Sequence, residues 1–213
     1  MKRLLLALGL LLGLAAPAAA QVPCGAVNSV PQVGVTCLQE PFTASYAATA
    51  VGFVPAASAT DVSCINGAAG KVIRIQMIRV SGSAGTLVNV PVPIRKNASL
   101  DTPGNFATGT AAPTPYALDS NFAIAVASTS AFTSNPTIND TAPGITDSGI
   151  LPLSLTGTTG ITAPYLLFDY TERNFMAAPI LRSAAQLVCV NFTTTSVSSG
   201  VVNITWRWTE AQN

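Results

Sequence analysis

The 213-residue chain contains no histidine. That absence removes the usual general base of serine and cysteine hydrolases and the usual imidazole ligand of metal centres. Charged residues are also scarce, at 9%. Without Lys2 and Arg3 the formal charge falls from +1 to −1. So weak a field offers little attraction to nucleic acid or anionic lipid, and neither is expected as a partner. The four cysteines include no CxxC pair. With no histidine either, the usual spacing of a zinc site is missing, and neither a metal nor a cofactor is expected. After the first twenty residues no apolar run is long enough to span a membrane, and no stretch sustains a helical period.

Glycoside hydrolysis would need only two carboxylates held about 5 to 10 Å apart. The candidates are Asp61, Asp101, Asp119, Asp140, Asp147, Asp169, Glu172 and Glu210, with Glu40 nearer the N-terminus. Most fall in loop text, where aspartate caps turns. Asp140–Asp147 and Asp119–Asn121 could offer oxygens to calcium. Neither has the alternating ligands and terminal bidentate Glu of a dedicated calcium loop, so turn formation is the reading, and no catalytic residue is assigned.

What is present begins with MKRLLLALGLLLGLAAPAAA. A basic start, an apolar run, Pro17 and the small residues Ala18–Ala20 form the three-part pattern of a secretory signal peptide cleaved before Gln21. Residues 1–20 are therefore set aside as a leader, 21–42 as an arm or linker, and 43–213 as one domain. The secreted product would lie in a periplasm or outside the cell, where cysteines oxidise. Cys24 and Cys37 lie close together in a Pro/Gly-containing segment, whereas Cys64 and Cys189 each sit in strand-like text. The preferred pairings are accordingly Cys24 with Cys37 and Cys64 with Cys189, although four cysteines allow three connectivities. Sequons occur at Asn97, Asn139, Asn191 and Asn203, but glycosylation is not expected at them.

Short alternating runs recur between turn-forming clusters. KVIRIQMIRV puts Ile73, Ile75 and Met77 on one side, and its pattern slips near Ile78, predicting a bulge or an edge. SGSAG then reads as a hairpin turn. TLVNVPVPIRK alternates cleanly, with Val88, Val90, Val92 and Ile94 on one face and Pro91 and Pro93 on the other. Prolines cannot donate to a neighbouring strand, so this run should lie at an edge or break there. Asn97–Pro115 and Thr133–Gly149 read as loops, and NFAIAVASTSAF as a strand. ILPLSL, YLLFDY, PILR, QLVCVNF and VVNITWRWT complete an all-β, antiparallel, two-sheet sandwich of jelly-roll type.

Both tryptophans stand in GVVNITWRWTE. Val202, Ile204, Trp206 and Trp208 share one face, with Arg207 on the other. Trp206 is expected to be buried and Trp208 to lie nearer the rim. Trp208, Tyr116, Tyr165 and Tyr170 are then the residues that could face a ligand such as a glycan.

KVIRIQMIRVSGSAGT, the DSN at Asp119 with ASTSAFTSNPT after it, YLLFDY and PILRSAAQLVCVNFTTTSVSSGVVNITWRWTE together resemble a family of small all-β proteins from phage, prophage and bacterial genomes, some virion-associated. The resemblance covers roughly residues 61–210. It implies a sandwich-like fold with a structural or surface role, and no functional residues to carry over. The leader and the four cysteines depart from that family and favour a secreted bacterial relative. The expected function is a secreted, non-enzymatic structural or surface protein working through contacts with other protein chains, including its own kind. A carbohydrate-binding module and a phage-derived decoration or fibre protein are the alternatives.

Overall fold

The computed structural model describes residues 44–56, 60–140, 142–155, 165–171, 178–193, 197 and 200–212. All of them belong to the compact unit Pro41–Asn213. The leader, the arm, the Cys24/Cys37 pair, Glu40 and Glu172 lie outside the described residues.

The strands are β1 (Ala44–Phe53), β2 (Thr60–Asn66), β3 (Lys71–Ala84), β4 (Val88–Asn97), β5 (Tyr116–Ala117), β6 (Thr129–Ala131), β7 (Gly144–Leu155), β8 (Tyr165–Asp169), β9 (Ile180–Leu181), β10 (Leu187–Phe192) and β11 (Val201–Gln212). Eight of them pair in nested antiparallel fashion: β1 with β11, β2 with β10, β3 with β8 and β4 with β7. One sheet runs β5-β1-β11-β3-β8, with β9 also along β3, and the other runs β6-β2-β10-β4-β7. Long antiparallel pairs wound into two facing sheets are the jelly-roll arrangement. A two-residue parallel contact, Ser83 and Ala84 with Ser154 and Leu155, joins the sheets where β7 ends.

The period of two places the core. Ile204, Trp206 and Trp208 of the first sheet and Val90, Val92, Ile94, Leu151 and Leu153 of the second are fully buried, while Arg207 is exposed. The predicted slip in β3 is a bulge. Arg207 faces Met77 but Trp208 faces Ile75, leaving Gln76 as the extra residue. The bulge restores the phase, so that Ile78 and Val80 continue the stripe begun by Ile73 and Ile75 and all four are buried.

Three local expectations fail for tertiary reasons. SGSAG is no hairpin turn: Ser81–Ala84 extend β3, and residues 81–83 pair with Val201–Asn203 of β11. β4 then crosses into the other sheet. Gly82 is required in the strand, because a Cβ there would stand 2.4 Å from the Val201 carbonyl oxygen. Secondly, Gly144–Gly149 belongs to β7 rather than to a loop, since it pairs with Val92–Lys96. Thirdly, NFAIAVAS is not a strand. Thr129–Ala131 pair with β2 and Phe132 makes an isolated bridge to Phe106, while Ile124 and Val126 are exposed. The prolines occupy an intermediate situation. β4 is interior, but its pairing with β10 covers only Ile94–Asn97. Pro91 and Pro93 sit where that second ladder has ended.

Candidate functional site

Aspartate and asparagine are poor strand residues, yet Asp61 and Asn191 stand within strands β2 and β10. The register sets them opposite one another, with Val62 bulged out between this pair and the Ser63–Val190 pair. In β10, Val188 and Val190 join the main core, so alternation turns Cys189 and Asn191 to the outer face. There Cys64 and Cys189, directly opposite in register, form a disulfide. With Phe132 and Leu187 they make a second small apolar cluster. The preferred Cys64–Cys189 pairing is thus the one found.

Beside the disulfide lies a polar group. Asp61 is fully buried; its Oδ1 accepts from Asn191 Nδ2 at 2.6 Å and lies 4.0 Å from Arg95 Nη1. Its Oδ2 faces Asn97 Nδ2 at 3.3 Å, and the same amide lies 3.4 Å from Asp101 Oδ1. Asn97 is itself fully buried, and neither its Oδ1 nor Asp101 Oδ2 meets a donor. Burial, together with the neighbouring Asp61 charge, pushes the Asp101 carboxyl up to about 7. Asp101 also lines a cavity of about 350 Å³ with Leu100, Phe106, Ser128, Ser130 and Phe132. The rings of Phe106 and Phe132 are 5.3 Å apart.

A second buried carboxylate lies at the end of β11. Glu210 Oε1 accepts from the Ala127 N–H at 2.9 Å, the Val126 N–H at 3.0 Å and the Trp208 indole at 3.0 Å. These bonds replace a strand ladder for residues 126 and 127. Tyr46 stacks on Trp208 with centroids 5.9 Å apart, and its hydroxyl donates to the Ala123 carbonyl. Burial first, and the Glu210 charge second, raise the Tyr46 phenol above its ordinary value. Glu210 thus pins the 118–128 segment onto the first sheet.

The aromatic candidates are not brought together. Trp208 is fully buried and Tyr170 is 3% exposed, so neither can face a ligand. The rim position expected for Trp208 fails because the Tyr46 ring and the segment held by Glu210 cover it. Tyr116 and Tyr165 are half exposed. They stand on β5 and β8, at opposite edges of one sheet, about 19 Å apart at four strand spacings. Tyr165 carries the Arg79 guanidinium 4.7 Å above its ring.

Asp119, Asp140 and Asp169 cap turns, as their loop text implies, whereas Asp147 stands within β7. Asp119 accepts from Asn121 N–H, Asp140 from Ala98 and Ala142 N–H, and Asp169 from Thr171. The bonds hold Asp140 and Asp169 below the usual carboxylate range. Sequence reasoning counted Asp61, Asp101 and Glu210 as carboxylates but did not group them. The available signal was an Asp and an Asn in the middle of apolar strands, where each must find a partner. Among the described residues no helix is long and apolar enough to cross a membrane. In comparisons with family models, curated proteins and solved structures, none matches this chain.

Proposed function

We propose that the protein is a secreted, non-enzymatic structural or surface component, part of an appendage, matrix or envelope, that works through contacts with other protein chains and with its own copies. The observation that carries this reading is one side of the sandwich. β7 and β8 are the outer strands of the two sheets there, and among the described residues no strand pairs the far side of β8 or residues 144–153 of β7 away from β4. Ile145, Ile150, Tyr165 and Leu167 are exposed on these strands. An unpaired edge that presents exposed apolar side chains is a template for strand addition by another chain. The secretory pattern of residues 1–20 and the Cys64–Cys189 disulfide support an oxidising destination. The resemblance to phage and bacterial all-β proteins supports the same structural role.

Sedimentation of the secreted chain over a range of concentrations tests the reading. Wild type is expected to self-associate, and Ile150→Lys to remain monomeric with an unchanged melting temperature. A wild-type chain that stays monomeric at the highest concentration, with or without residues 21–42, overturns assembly through its own copies. The carbohydrate alternative is disfavoured by the separation of Tyr116 from Tyr165 and by the burial of Trp208 and Tyr170. A glycan array giving a signal that Tyr165→Ala abolishes would restore it.

A further inference from the structure

We propose that two copies of this chain pair through β8, antiparallel to one another about a two-fold axis at Leu167, so that their first sheets become one continuous sheet. The inference rests on the assembly proposed above and deepens it, naming the partner as a second copy and the register as Leu167 on Leu167. β8 lies antiparallel to β3, with Ile78 opposite Phe168 and Val80 opposite Leu166. Just beyond its end the Tyr170 N–H donates to the Gln76 carbonyl at 2.9 Å. Along an antiparallel ladder the backbone groups of alternate residues turn to the same neighbour, so Phe168 and Leu166 face β3 as Tyr170 does. The N–H and C=O groups of Tyr165, Leu167 and Asp169 therefore turn the other way, where no strand pairs with them among the described residues.

This edge is its own complement. A two-fold axis at Leu167 sets that residue against its counterpart and Tyr165 against the second copy's Asp169, so the outward groups of all three meet as hydrogen-bonded pairs, about six bonds in all. The side chains agree. Phe168 belongs to the core, so Tyr165, Leu167 and Asp169 lie on the outer face, with Tyr165 53% and Leu167 42% exposed. Opposed residues on one face touch: leucine meets leucine at the centre, and on either side a phenol meets a carboxylate. Asp169 Oδ1 accepts from the Thr171 N–H and hydroxyl, whereas its Oδ2 has no partner among the described residues and is left for the second copy's Tyr165. The Arg79 guanidinium, 4.7 Å from the centre of the Tyr165 ring, brings a positive charge to the same carboxylate. The second sheet follows. Leu166 lies over Gly149 of β7, where a Cβ would stand 2.7 Å from Leu166 Cδ1. The axis therefore passes close to Ile150 as well and brings this exposed side chain toward its counterpart. Another protein's strand would satisfy the backbone groups equally well, but the reciprocal match of Tyr165 with Asp169 favours a second copy.

The test uses the whole secreted chain with its Cys64–Cys189 disulfide intact. Leu167→Cys, oxidised with copper phenanthroline, is expected to run as a dimer on a non-reducing gel and to map as a link from residue 167 to residue 167. Directly opposed residues of such a pair lie about 5.5 Å apart at Cα, within disulfide reach. Tyr165→Cys and Asp169→Cys should each form no link alone, since like positions are then offset by about 13 Å along the strands, and should cross-link when mixed. Leu167→Arg, which sets like charges opposite one another at an exposed position, should weaken self-association at least tenfold in sedimentation and leave the melting temperature unchanged. A wild type that self-associates while residue 167 forms no link overturns this interface and leaves assembly through another surface standing. Undiminished self-association of Leu167→Arg does the same. A link from Leu167→Cys to a co-secreted protein in place of its own copy overturns the choice of partner. A wild type that stays monomeric at the highest concentration overturns assembly through its own copies and this interface together.

Discussion

Among the described residues two carboxylates are buried, Glu210 at the end of the first sheet and Asp61 on the outer face of the second, and the protein treats them differently. Glu210 receives two backbone N–H groups and an indole N–H. Asp61 receives one short bond from Asn191, a long approach from Asn97, a distant guanidinium and, facing it, a second carboxyl group. A buried carboxylate given enough donors becomes a structural tie, here fastening the 118–128 segment over Trp208. One that faces another acid with few donors of its own raises the pKa of that neighbour instead. Burial is the same in both cases, and the supply of donors makes the difference.

The largest expected effect comes from the covalent link beneath Asp61. The disulfide joins residues 125 positions apart. In the chain-entropy model, removing such a link costs about 4–5 kcal/mol, much of the 5–15 kcal/mol of a typical domain. The Cys64→Ala/Cys189→Ala double variant should lose that much in a urea melt. Next comes Glu210→Ala, which strands three donors and should cost about 3–4 kcal/mol. Protease cleavage should then appear in the 118–128 segment before the rest of the domain opens. Resistance of that segment in the variant would show that Glu210 is not its tie.

Breaking the asparagine contacts should separate the two halves of the Asp61 site. Asn191→Ala removes the one short bond to a buried carboxylate and should cost about 2–3 kcal/mol. Asn97→Ala, which removes only long contacts together with an unmet oxygen, should cost less than half as much. Equal losses would erase the distinction between the two sides of Asp61.

The smallest effect is one of pH. The Asp101 carboxyl, at about 7 when folded, lies above its unfolded value of about 3.9. Between these values the folded chain holds a proton that the unfolded chain has lost, so stability falls as pH rises from about 4 to 7 and then levels. Allowing for solvent screening at a partly buried group, the fall should be on the order of 1–2 kcal/mol. Asp101→Asn should flatten it. A wild-type curve already flat over that window would contradict the coupling of the two acids.

Legibility in the sequence followed the range of the interaction. The stripe Val202, Ile204, Trp206 and Trp208 could be read directly because a strand shows alternate residues to one side, and all four are buried. The bulge in β3 could be read because it interrupts that period. NFAIAVAS misled because alternation alone cannot say whether a neighbouring strand is present, and here a side chain from β11 supplies the acceptor instead. Trp208 misled for the same reason: a strand's end is a rim only if nothing folds over it. The polar group around Asp61 was hidden because its residues come from separate stretches, each with an ordinary local reading.

The sequence by itself determined the all-β class, the inward face of the principal strands and the two cysteines suited to cross-linking. These follow from a two-residue period and from residue types. Tertiary structure alone decided the nested strand order, the burial of Trp208 and the contrast between Glu210 and Asp61. Glu210 meets Val126 across 84 positions and Asp61 meets Asn191 across 130. No local preference specifies such a meeting, because it exists only once the two sheets have closed on a common core.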